Sequence, residues 1–97
     1  MMRNMNAIAI QRSKLQYAEG LVEIAIWHVP VPVDPSWHSF KYRLVYVIDG
    51  VRVVGYDNER GKGDHLHLGA VELPYQFVNV ATLLVDFWQE VEKVGKK

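Results

Sequence analysis

KYRLVYVIDGVRVVGYD, Lys41 to Asp57, decides the fold. Two runs of alternating β-branched and aromatic residues flank Asp49 and Gly50. Asp-Gly in that setting fits the tight type I′ hairpin turn, whose two central residues both need positive φ. With Asp49 and Gly50 as the turn, Ile48 pairs with Val51, Tyr46 with Val53 and Leu44 with Gly55, and these define an apolar face. The opposite face then carries Lys41, Arg43, Val45, Val47, Arg52, Val54, Tyr56 and Asn58, with Arg43 across from Tyr56 and Lys41 across from Asn58.

A second hairpin precedes it. From Ala7 the chain reads as strand, Glu19 and Gly20 fit a two-residue turn, and LVEIAIWHV is the return strand. In that register Tyr17 faces Val22 and Leu15 faces Ile24, with Ile26 on the same side. Lys14, Gln16, Glu23 and Ala25 take the other side, the split of a half-buried antiparallel pair. Residues 29–40 form a connector: VPVPVDPSW holds three prolines, which cannot donate to a central ladder. Trp37 within it is expected to cover an edge of the core. Residues 1–6 are expected to fray.

Beyond the central hairpin, LGAVELPYQF reads as a turn and a short edge strand ending near Pro74. The segment 79–94 is a helix. Asn79 supplies the cap, and Val78 with Leu83 a hydrophobic staple. Val80, Leu83, Leu84, Phe87, Trp88 and Val91 recur at helical spacing as the core stripe, while Asp86, Gln89 and Glu90 face outward. Lys93, Lys96 and Lys97 suit the negative end of the helix dipole. The expectation is one α+β domain over 1–97, a mainly antiparallel sheet of four to five strands with this C-terminal helix packed across one face.

Composition narrows the function classes. The 97 residues carry eleven basic and eleven acidic side chains and no cysteine. Zero net charge excludes a histone-like nucleic-acid binder, so any contact with RNA must use a local patch. Without cysteine there is no disulfide, thiolate nucleophile or zinc finger, which suits the cytoplasm. The N-terminal apolar run is too short for a signal peptide, and no stretch is long enough to span a membrane.

Chemistry concentrates in YDNERGKGDHLH, Tyr56 to His67. Gly61 and Gly63 flank Lys62, a composition that lets backbone N–H groups approach an anion while the ammonium neutralises it. His65 and His67 are two apart, so on a strand they project from one face, where one imidazole can hold a proton while the other supplies one. Arg60, Lys62 and Asp64 surround them. Lys41, Arg43 and Arg52 on the neighbouring hairpin face suit phosphates, with Asn58 beside them, and Tyr56 suits stacking on a base.

Tyr42, Arg43 and Leu44, the YDNERGKGDHLH run, Pro74, Tyr75 and Phe77, and Leu83, Leu84, Asp86 and Phe87 together resemble the TumE-like family of small bacterial and archaeal proteins, from about Leu21 to Val91. The resemblance implies a toxin of a toxin–antitoxin module, neutralised by a cognate antitoxin of helix-turn-helix type. Leu66 departs from the family pattern, which looks to have a basic residue between the two histidines.

Three functions fit. A metal-independent endoribonuclease needs no cofactor: His65 and His67 would be base and acid, with Arg60 and Lys62 stabilising the phosphate. A metal-dependent nuclease would draw ligands from Asp57, Glu59, Asp64 and the histidines, but Arg60 and Lys62 repel a cation, so no metal is expected. A non-catalytic module would act by binding a protein through the connector and helix. RNA is the expected substrate, and a homodimer is compatible with the sequence.

Overall fold

A computed structural model of the chain describes residues 6–95. One antiparallel sheet holds β1 (Ile8–Tyr17), β2 (Gly20–His28), β3 (Phe40–Ile48), β4 (Val51–Glu59), β5 (Gly63–Leu68) and β6 (Val71–Pro74), paired in chain order, and α1 (Val80–Gly95) follows. The architecture is the expected one with six strands in place of four to five, because Tyr56 to His67 is itself strand, turn and strand. Residues 1–5 of the expected frayed terminus, and Lys96 and Lys97, lie outside the described residues.

The helix covers one face of the sheet. Leu83, Phe87 and Val91 are fully buried against Val22, Ile24, Ile26, Tyr42, Leu44, Tyr46, Val54 and Tyr56. Asn79 caps the helix, its Oδ1 accepting from the Thr82 amide at 2.7 Å. Val78 remains exposed, so the staple onto Leu83 is not made. Asp86 does not simply face outward: its Oδ2 accepts from the Tyr75 hydroxyl at 2.6 Å, tying the helix to the exit of β6.

Both hairpin registers differ from expectation, with unequal consequences. In the first, the turn is Ala18 and Glu19, so Tyr17 pairs with Gly20, Leu15 with Val22 and Ser13 with Ile24. A slip of two residues keeps every side chain on its face. Gly20 is needed for a close approach, since a Cβ there would lie 2.5 Å from Tyr46 Cε1 and 2.7 Å from the Val47 carbonyl oxygen.

In the central hairpin, Ile48 pairs with Val51 and Val47 with Arg52, but Tyr46 then pairs with Val54 and Leu44 with Tyr56. Val53 is the extra residue of a bulge, and one extra residue moves every later β4 side chain to the opposite face. Val54, Tyr56 and Asn58, expected on the cationic face, are therefore buried under the helix and connector, and Arg43 lies across from Asp57 instead of Tyr56. The connector is also inverted in part: Val33, Ser36 and His38 are buried, while Trp37 is 70% exposed. His38 covers that edge in its place, stacked on Phe77 with ring centroids 3.8 Å apart.

Candidate functional site

Strand alternation divides the YDNERGKGDHLH chemistry between two faces. Asn58 and Asp64 are cross-strand partners on the helix side, and Asp57 and His65 are partners on the open side. A period of two thus gives neighbouring residues of one motif unrelated surroundings.

The helix-side pair is structural. The Asp64 carboxylate accepts from Ser36 Oγ, from the Tyr42 hydroxyl at 2.7 Å and from His38 Nε2 at 2.7 Å. His38 Nδ1 accepts from the Phe40 amide at 3.2 Å, which leaves Nε2 as the donor to Asp64. Asn58 Oδ1 accepts from the Tyr42 amide at 3.0 Å, and its Nδ2 donates to the Phe40 carbonyl at 2.8 Å and Ser36 Oγ at 3.3 Å. Burial and the Asp64 bond raise the Tyr42 phenol well above its ordinary value, keeping it a donor. This network fastens the proline-rich connector to β3, β4 and β5.

The open face carries a row that crosses the whole sheet. Arg12, Ala25, Arg43, Asp57, His65 and Pro74 are successive cross-strand partners on β1 to β6. From Arg12 to His65 the row spans four strand spacings, roughly 19 Å. The small Ala25 leaves a shallow cleft between Arg12 and Arg43, lined also by Lys14 and Glu23. Gly55, His67 and Glu72 form the adjacent row on β4, β5 and β6.

At one end of these rows sits a compact cluster. His65 Nε2 is 2.6 Å from Asp57 Oδ1 and 3.8 Å from Glu72 Oε2, and His65 Nδ1 is 3.1 Å from the Gly63 carbonyl oxygen. His67 packs edge-on at a ring centroid distance of 4.9 Å. His65 is buried and His67 partly exposed, so the pair is not two equally accessible imidazoles. Asp57 Oδ1 is buried with no aligned hydrogen-bond partner despite its nearness to His65, so the approach of the two groups is oblique. Desolvation, and then the Arg52 charge, lower the His67 pKa below its ordinary value. Gly55 makes room for Arg52: a Cβ there would meet Arg52 Cδ at 2.8 Å.

Arg43 and Arg52 are exposed on the open face, as expected, and Lys41 is half-buried with its Nζ donating to the Asn58 carbonyl at 2.6 Å. Tyr56 is 3% exposed, edge-on to Phe87, so it offers no stacking face. Burial, then Glu90 and Asp86, push its phenol up to about 12. Gly61 and Gly63 have φ of 87° and 79° and build the β4–β5 turn. The turn amides are already used, Gly61 N–H donating to the Asp34 carbonyl at 2.8 Å and Lys62 N–H to the Glu59 carbonyl at 3.0 Å. Arg60 is exposed at the turn, and Lys62 lies 3.1 Å from Glu72 and 3.8 Å from Glu59. Each charge of the Lys62–Glu72 pair favours the other, raising the lysine and lowering the glutamate.

Arg12 and Glu72 lie outside the expected contact set, and Asp57, expected only as a ligand in the metal-dependent alternative, is at its centre. Asp57 was readable had Val54 and Tyr56 been taken as the apolar alternation of β4, since Val53, Gly55 and Asp57 then fall opposite. Glu72 and Arg12 depend on pairings between strands that no local pattern reveals.

The family model described as "Toxin TumE" matches residues 4–94. No curated protein and no solved structure matches the chain.

Proposed function

Because the chain belongs to the TumE toxin family, we propose that it is the toxin component of a toxin–antitoxin module and that it arrests growth as an endoribonuclease. The reaction centre is the Asp57, His65 and His67 cluster. The observation that carries this reading is the cross-strand row, which aligns Arg12 and Arg43 with Asp57 and His65 on a single uncovered sheet face. Phosphates of a single strand lying along the row meet guanidinium groups, which bind them without reading sequence, and one phosphodiester reaches the titratable cluster. Arg52 beside His67 adds positive charge where the pentavalent phosphate would form.

The same face is where the cognate antitoxin acts. An acidic segment laid over Arg12, Arg43 and Arg52 would displace RNA by charge competition and cover the cluster. Among the described residues, no helix is long and apolar enough to cross a membrane.

The test is cleavage of a mixed bacterial RNA by the purified protein and by Asp57→Asn. The wild type should cut and Asp57→Asn should lose roughly 100-fold or more, the usual worth of a positioned catalytic group. Equal cleavage by both proteins would remove the cluster from the reaction.

A further inference from the structure

We propose that Asp57, His65 and His67 bind one divalent first-row transition-metal ion. Ligand atoms from the three residues all lie within 4.8 Å of one another. Donors about 2.1 Å from a common ion stand about 3 to 4 Å apart, so side-chain shifts of about 1 to 2 Å close the site. The oblique 2.6 Å Asp57–His65 approach would open to that spacing as the ion enters. Two ligands of one ion lie side by side with the ion off the line between them, whereas a hydrogen bond would put the proton on that line.

Three further features agree. His65 Nδ1 faces the Gly63 carbonyl, and a metal-ligating histidine characteristically donates its other ring N–H to such a group, which fixes the tautomer and presents Nε2. Asp57 Oδ1 is buried without an aligned partner, a costly state that a bound cation relieves. Glu72 Oε2, 3.8 Å from His65 Nε2 and 3.1 Å from Lys62 Nζ, stands close enough to hold a metal-bound water while keeping its pair with Lys62.

In the sequence, Arg60 and Lys62 stand where their charges would repel a cation. In the folded chain Lys62 is neutralised by Glu72 and Glu59, so its charge is not aimed at the cluster alone. The ligand set also differs from the one read in the sequence: Asp64 is committed to Ser36, His38 and Tyr42 on the other face, and Glu59 is exposed beside Lys62. Two imidazoles and one carboxylate suit manganese, iron, cobalt or zinc better than magnesium or calcium, which prefer all-oxygen sites. The ion's role rests on the reading of this cluster as the reaction centre, where it would hold a phosphodiester oxygen and offset its developing charge.

Metal binding can be measured without RNA. Chelator-stripped full-length protein is titrated with cobalt(II) chloride, following visible absorption, and with zinc chloride by calorimetry. One ion per chain is expected, with affinity reduced by roughly 100-fold or more in His67→Ala and Asp57→Asn. Glu92→Gln and His28→Ala, which alter exposed residues away from the cluster, should bind like the wild type. Should Asp57→Asn fail to fold by circular dichroism, His67→Gln at the more exposed ligand decides. No saturable binding below roughly 1 mM, or equal affinity in the wild type and the ligand variants, would overturn the site. Metal binding without RNA cleavage upholds the site and removes the nuclease; chelator-resistant cleavage by a protein that binds no cobalt does the reverse.

Discussion

His65 Nε2 lies 2.6 Å from Asp57 Oδ1 across the β4–β5 ladder, an approach too oblique for a hydrogen bond. The two residues are direct cross-strand partners, and their position depends on the bulge at Val53, which turned Asp57 onto the open face and Asn58 onto the closed one. The division of the motif into a hydrogen-bonded half under the connector and a half on the open face makes the two separable by mutation.

Asp64→Ala should destabilise the domain by roughly 3 kcal/mol or more, because it strands buried donors on Ser36, His38 and Tyr42. Asp57→Asn, which removes no aligned hydrogen bond, should change stability by less than about 1 kcal/mol. Urea unfolding of the two variants measures the difference. Similar losses in both would contradict the assignment of Asp64 to the scaffold and Asp57 to the site.

Phe87→Ala should cost about 3 to 5 kcal/mol, since the ring is fully buried between the helix and the sheet. A loss under about 1 kcal/mol in the same unfolding experiment would mean that the helix does not pack on this face.

At Gly20 the obstacle is backbone as well as side chain, so Gly20→Ala should cost about 1 to 3 kcal/mol. The Val47 carbonyl oxygen cannot move away without disturbing the β2–β3 ladder, and Tyr46 is held by its hydroxyl's bond to the Tyr17 carbonyl at 2.9 Å. An unchanged unfolding midpoint would show that the hairpin takes another register.

Arg12→Gln and Arg43→Gln should each weaken binding of a single-stranded RNA and reduce the slope of log affinity against log salt by about 0.7, the contribution of one phosphate contact. Fluorescence anisotropy across a salt series reads this. Charge reversal at Arg43 and Arg52 should also weaken the antitoxin complex. Unchanged salt slopes would take RNA off the cross-strand row.

Much of this architecture is legible in the sequence. Asp49-Gly50 between alternating runs fixed the central turn, and the stripe from Val80 to Val91 with Asn79 as cap fixed the helix. The faces of the first hairpin survived a wrong turn because a two-residue slip preserves side-chain direction. The central hairpin was less forgiving. A single bulged residue, Val53, exchanged Tyr56 and Asn58 with Asp57, and a bulge is selected by how strands pack rather than by the residues around it. The two histidines were recognisable as a same-face pair. Their unequal exposure was not, because Glu72 and Pro74, their cross-strand partners, come from a different strand. Gly61 and Gly63 looked like an anion cradle for the same reason that they make a good turn, and only the Asp34 carbonyl on the connector decides between the two.

An RNA-cleaving centre at Asp57, His65 and His67 would leave new RNA ends in cells, and mapping those ends measures it. The wild type, Asp57→Asn and His67→Ala are induced to equal soluble levels without antitoxin, and growth and newly formed RNA 5′ ends are followed together. The wild type should stop growth and generate new ends, and both variants should do neither while keeping a wild-type unfolding midpoint. Growth arrest by the Asp57→Asn, His67→Ala double variant equal to that of the wild type, or wild-type arrest without new RNA ends, would contradict the account.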